Sequence, residues 1–107
     1  LYIDGKRVPS RPHNFNFAAR PGPPYAWLGG MPADATLARA QQACEATLLE
    51  TRITSRARYD ADFTPAAQLT ADADTVLLYK FDEGSGDVLH DSSGHGRQAK
   101  IVGAQWT

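Results

Sequence analysis

Apolar residues gather in three stretches of this chain, and these stretches set the expected fold. Thr75-Val76-Leu77-Leu78-Tyr79-Lys80-Phe81 is nearly continuous in apolar side chains, which predicts a strand covered on both faces and central in its sheet. Lys100 to Trp106 alternates Val102, Ala104 and Trp106 against Ile101, Gly103 and Gln105, which predicts a second strand that lays Trp106 into the core. Thr47 to Ser55 also alternates, with Leu49, Thr51 and Ile53 on one face and Leu48, Glu50, Arg52 and Thr54 on the other. That pattern suits a sheet with one buried face.

Between and before these runs the residues turn the chain. Leu1-Tyr2-Ile3-Asp4-Gly5-Lys6-Arg7-Val8 reads as two short strands around Asp-Gly, a dipeptide that favours the positive backbone angles of a tight hairpin. From Pro9 to Pro24 the prolines preclude a central strand, because proline cannot donate to a sheet ladder. Tyr25 to Leu28 gives a short strand that ends in Gly29-Gly30. Met31 to Ala46 is rich in alanine and glutamine with Asp34 as an N-cap, so a loop with one short helix near 34–44 is expected there. Residues 60–74 form an acidic connection. Gly84-Ser85-Gly86 and Asp91-Ser92-Ser93-Gly94 join the last two strands through turn-forming residues.

Charge and size then narrow the functional classes. The chain has 107 residues, one domain at most, and a net charge of −1 from 11 basic and 12 acidic side chains, so no electrostatic case for nucleic acid arises. Basic residues cluster before Pro24, whereas residues 60–91 hold eight carboxylates against Lys80 alone, which reads as solvated acidic loops. Cys44 is the sole cysteine, so neither an intramolecular disulfide nor a cysteine-based metal cluster is available. The longest apolar runs are too short to cross a bilayer, so membrane insertion is not expected. Leu1 opens in the middle of a strand-like segment, and the chain is therefore expected to be a piece of something longer.

Several residue groups look like chemistry and fail on spacing. Gly84-Ser85-Gly86 has Leu89 where a dinucleotide fingerprint needs its third glycine, and its flanks are strands instead of strand then helix. Asp91, Ser92, Ser93, His90 and His95 contain all three partner types of a hydrolase triad, but residues of one turn do not converge as triad partners from separate elements do. Their ordinary role is to bond their own backbone. Asp82, Glu83, Asp87 and Asp91 are oxygen donors on loops, the ligand type that calcium takes, without the EF-hand spacing. His90, His95 and Cys44 lack zinc spacing. Tyr25 and Trp27, leaving the proline-rich loop, are the aromatics placed to form a sugar platform, and Arg56 and Arg58 are the cations placed for an anionic glycan.

The segment Tyr79-Lys80-Phe81-Asp82-Glu83-Gly84-Ser85-Gly86, followed by Asp91-Ser92-Ser93-Gly94-His95-Gly96, closely resembles the opening strands of bacterial laminin G-like, concanavalin A-like jelly-roll domains. Leu1-Tyr2-Ile3-Asp4-Gly5 resembles a hairpin found late in that family. The strand around Glu50, with Ser55-Arg56-Ala57-Arg58-Tyr59 and Asp62-Phe63-Thr64-Pro65 after it, is similar to another late family strand, with Leu49 in place of the usual aspartate and Thr51 in place of the usual valine. The order is thus rotated: residues 1–74 correspond to the C-terminal half of such a domain and 75–107 to its first strands, which either close the same sandwich or begin the next. The resemblance implies an all-β antiparallel sandwich, whole or incomplete, that acts as a non-catalytic carbohydrate- or protein-binding module. A structural spacer and a remnant of a glycoside hydrolase-like sandwich are the alternatives. It further implies calcium as the one cofactor to consider and an extracellular or cell-envelope setting. Sheet edges left open would be covered by other domains of the same polypeptide or by a swapped partner chain.

Overall fold

A computed structural model of the chain describes residues 1–9, 28–30 and 44–107. It is all-β: among the described residues there is no helix, and six short strands form three antiparallel pairs. The chain divides into two units, residues 1–10 with 48–107 and residues 11–47. The second unit is described only at 28–30 and 44–47, where the Cys44 N–H donates to the Gly29 carbonyl at 2.7 Å. The expected strand at Tyr25 to Trp27 and the expected helix over 34–43 lie outside the described residues, and Cys44 itself is not helical.

In the first unit the leading hairpin forms as its Asp-Gly dipeptide predicts. Strands β1 (Tyr2–Ile3) and β2 (Lys6–Arg7) pair with Tyr2 opposite Arg7 and Ile3 opposite Lys6. Asp4 and Gly5 sit at φ of 50° and 75°, the two positive angles of a turn whose twist matches the flanking strands. A bond from Val8 N–H to the Leu1 carbonyl adds a rung. Two strands alone are marginal in water, and this pair is held from outside. The Phe63 N–H donates to the Gly5 carbonyl at 2.9 Å, and the Arg7 N–H donates to Asp62 Oδ1 at 2.8 Å. Tyr2 presents its ring edge to both Tyr59 and Phe63, which stack with centroids 3.4 Å apart.

The principal pair is β3 (Thr51–Thr54) with β4 (Thr75–Tyr79), in the register Thr51 to Tyr79, Arg52 to Leu78 and Ile53 to Leu77, with a shift between Ile53 and Thr54. The strand expected at 75–81 therefore pairs with the Glu50 strand of its own chain. It ends at Tyr79 because Phe81 has a φ of 52°, a left-handed angle incompatible with a continuing strand. β4 carries the densest burial, with Thr75, Leu78 and Tyr79 all buried. Leu89, farther along the chain, is buried as well.

The connection back to β4 is tied by Asp72. Its Oδ1 accepts from the Asp74 N–H and the Thr75 hydroxyl, while its own N–H donates to Thr75 Oγ1. Thr75 is only 2 % exposed, and the two hydrogen bonds at its hydroxyl, one accepted and one donated, offset the cost of burying a polar group. The Ser55 N–H donates to the Asp74 carbonyl, closing the two ends of the 55–74 connection.

Two expectations are corrected. The strand at 100–106 shrinks to β6 (Ala99–Lys100), which pairs with β5 (Val88–Leu89); one further bond runs from Ile101 N–H to the Asp87 carbonyl. Gly103 at a φ of 76° interrupts it, leaving Val102 exposed. Trp106 still folds back, its indole N–H donating to the Gly86 carbonyl at 2.9 Å. In the Glu50 strand only Thr51–Thr54 are strand, and the face formed by Leu49 and Ile53 is open, these two being 73 % and 42 % exposed. Glu50 instead turns its carboxylate to the Leu69 N–H, and Arg52 reaches the Thr70 carbonyl, so long polar side chains of this segment secure the connection.

Gly5→Ala tests the docked hairpin. A Cβ there would overlap the Phe63 carbonyl and press on Pro65, at a backbone angle that L side chains disfavour. Urea unfolding should show a loss of about 2 to 3 kcal/mol; stability equal to the wild type would mean that the hairpin contributes nothing to the fold.

Candidate functional site

The residues with the most polar chemistry in the first unit converge on the outer edge of β4. In an antiparallel strand alternate residues present their N–H and C=O groups to opposite edges. Because Leu78 lies at a position whose backbone groups face away from β3, its N–H and C=O need partners elsewhere. The loop 91–97 supplies them. The Leu78 N–H donates to Asp91 Oδ1 at 3.0 Å, and the Leu78 carbonyl accepts from the Ser92 N–H at 2.8 Å. Two residues back along the same edge, the Val76 carbonyl accepts from the Arg97 guanidinium at 2.7 Å.

Asp91 also holds the loop to itself. Its Oδ1 accepts from the Ser93 N–H at 2.9 Å, an Asx turn, and its Oδ2 accepts from the Arg97 N–H at 2.9 Å. Tyr79 closes the arrangement by donating its hydroxyl to the Arg97 carbonyl at 2.5 Å. Desolvation pushes the Asp91 carboxyl up, but the Ser93 hydroxyl and the N–H groups of Arg97, Leu78 and Ser93 outweigh it and hold the group well below the usual carboxylate range. Burial, reinforced by the Asp91 charge, pushes the Tyr79 hydroxyl up, so it stays a donor.

The resemblance of this loop to a hydrolase triad dissolves in its geometry. Ser93 Oγ lies 3.0 Å from His95 Nδ1, a hydroxyl–imidazole contact on an exposed turn. The Asp91 carboxylate, however, is spent on three backbone N–H groups, where a triad would have it orient the imidazole. His90 engages a different carboxylate: its N–H donates to Glu83 Oε1 at 2.8 Å, and its Nδ1 lies 3.4 Å from the same oxygen. The bond from the His90 N–H, against an opposing desolvation, lowers the Glu83 carboxyl. Glu83 Oε2 is buried without a partner, a cost that the bonds of Oε1 offset.

The other expected site residues lie as follows. Asp82 and Asp87 are exposed. They do not join Asp91 in a cation site, for among the described residues no group of three or more His, Cys, Asp or Glu side chains is placed to hold a metal. Arg58 forms a two-pronged pair with Asp72 at 2.5 and 2.6 Å, its side chain 25 % exposed. Arg56 lies 3.5 Å from Asp74 and is largely exposed. The structure thus uses Arg58 as a clasp on the 55–74 connection and leaves Arg56 facing solvent. Tyr25 and Trp27 lie outside the described residues.

Two residues central to this arrangement, Arg97 and Asp72, have no role assigned from the sequence, and Glu83, an oxygen donor of the calcium type there, serves here as a backbone acceptor. Asp72 had a readable signal, a carboxylate three residues before a threonine that opens an apolar strand. Arg97 had none, because its partner Val76 lies 21 residues away.

Comparison with protein-family models, with curated proteins and with solved structures returns no match.

Acid sensitivity follows from Asp72. The two-pronged Arg58 bond, followed by the Thr75 hydroxyl, lowers its carboxyl from 3.8 to about 2. A carboxylate with a depressed folded-state value stabilises above its unfolded value and loses that contribution as the pH falls through the folded one. Resistance to urea should therefore decline between about pH 4 and pH 2. Arg58→Met should be less stable at pH 7 and show a shallower decline over that window, and an unchanged decline would remove the pair from the account.

Proposed function

We propose that the chain is a non-catalytic binding module on a laminin G-like, concanavalin A-like jelly roll, with a carbohydrate or a protein as ligand and a larger extracellular or cell-envelope protein as host. One observation carries the reading: β4, which opens the family-like Tyr-Lys-Phe-Asp-Glu-Gly-Ser-Gly segment, pairs antiparallel with β3 of its own chain. That pairing joins a family-type first strand to a family-type late strand in one sheet, as a sandwich with rotated strand order requires.

The use of the carboxylates supports a binding role over a hydrolytic one. Glycoside hydrolysis needs two acids free to face a bond across roughly 5 to 10 Å. Glu50, Asp72, Glu83 and Asp91 each accept a backbone N–H, a structural use of carboxylates at these positions. The apolar side chains support a surface that meets a ligand over an inert spacer. Leu49 and Ile53, which share one face of the Glu50 segment, are both exposed, and neighbouring exposed apolar residues are a feature of interaction surfaces.

A glycan array probed with the full chain, with and without chelator, tests the ligand class. Binding that is lost in Trp27→Ala would assign a carbohydrate and place Trp27 at its platform. Binding lost with chelator would add calcium. Silence across the array, with the chain folded, would overturn the carbohydrate arm and leave the protein ligand.

A further inference from the structure

The outer edge of β4 is the most association-prone element among the described residues, and it is masked by side chains instead of a strand. Thr75-Val76-Leu77-Leu78-Tyr79 is uncharged, rich in β-branched, leucine and aromatic residues, and free of proline and glycine. Such five- to seven-residue segments pair readily with copies of themselves when an edge is open. β3 differs, for Arg52 lies within it and Glu50 immediately before it. In natural sheets an edge of this kind is shortened, charged, twisted away or covered.

Here the cover is the loop 91–97. Its Ser92 N–H takes the Leu78 carbonyl, its Asp91 carboxylate takes the Leu78 N–H, and its Arg97 guanidinium takes the Val76 carbonyl. These are one donor and two acceptors in the row that an incoming strand would use. The loop imitates a strand's hydrogen bonds with a carboxylate and a guanidinium, groups that cannot propagate a ladder. Asp91 also fixes the loop's own turn through Ser93 and Arg97, and Tyr79 anchors its far end at the Arg97 carbonyl.

We propose that the loop 91–97 is an edge guard that keeps β4 from pairing with β4 of a second copy of the chain, and that Asp91 is its latch. With the latch removed, Val76 and Leu78 present free N–H and C=O groups, and an antiparallel β4–β4 pairing satisfies both copies by the same contacts. The inference is independent of the ligand class, since it concerns only the edge of the sheet.

Sedimentation velocity over a concentration series, paired with hydrogen exchange, tests it on the full chain. Asp91→Ala should raise the weight-average mass about twofold or more with rising concentration relative to wild type. The Leu78 amide should stay protected in the associated form, along with the amides of Thr51 and Ile53, which face β4. Arg97→Ala, which leaves the latch in place and uncovers only the Val76 carbonyl, should associate in the same direction but more weakly. Val76→Pro added to Asp91→Ala should restore the monomer, because residue 76 faces the outer edge and proline there blocks pairing without removing a bond to β3. Folded monomers in both single variants would overturn the proposal. So would association that persists in the double variant, or association in both single variants accompanied by loss of protection at Thr51 and Ile53, which would mean simple unfolding.

Discussion

The carboxylate of Asp91 is the constraint on which the rest of the 75–107 segment depends. Three backbone N–H groups, from Leu78, Ser93 and Arg97, meet on its two oxygens. One belongs to the core strand and two to the loop, so a single side chain fixes the loop's shape and its position on the sheet together. Charge-assisted bonds of this kind are roughly twice as strong as neutral ones. The depressed titration of Asp91 is the same fact seen from the proton's side, since protonation would replace an acceptor of several N–H groups with a competing donor.

The same device recurs wherever this chain must hold a connection with little apolar material. Asp72 organises the approach to β4 through Asp74, Thr75 and Arg58, Glu83 holds the His90 backbone, Glu50 holds Leu69, and Asp62 holds Arg7 at the leading hairpin. The apolar core of the described residues is small, consisting of Leu78, Tyr79 and Leu89 above the satisfied Thr75. Fully burying one such side chain contributes about 1.5 to 3 kcal/mol. Against the entropy of ordering long connections, the carboxylate bonds act mainly by leaving few buried N–H groups unpaired. The acidic balance of residues 60–91, which reads from the sequence as solvated loops, is thus partly a set of backbone acceptors.

Much of the fold was legible in particular residues. Asp4-Gly5 announced a two-residue hairpin because both positions of that turn need positive φ, and both have it. The unbroken apolar run from Val76 to Tyr79 announced a buried strand, which it is. The alternation at 100–106 misled, because period-two patterning carries no information about Gly103, whose left-handed angle ends the strand after Lys100. In the Glu50 segment, the alternation marked two faces but could not say which neighbour would cover either, and Leu49 and Ile53 stay exposed. At the candidate site, Asp91 was readable as a turn residue, whereas Arg58 and Arg56 looked alike in sequence. One proved to be a two-pronged structural clasp, the other an exposed cation.

By itself, then, the sequence determined the local choices: where the chain turns, which stretch forms the buried strand, and that its strands are short and antiparallel. These depend on φ preferences, on proline and glycine, and on side-chain periodicity, all of which act over a few residues. Only the tertiary structure decided what completes β4. Its inner edge found β3, more than twenty residues earlier in the chain, and its outer edge found a carboxylate and a guanidinium from a loop thirteen to twenty-one residues later. Hydrogen bonds to backbone groups carry no signature in the identity of the residue whose backbone is bound, so the partner of Leu78 could not be read from Leu78. It follows from where the chain brings Asp91.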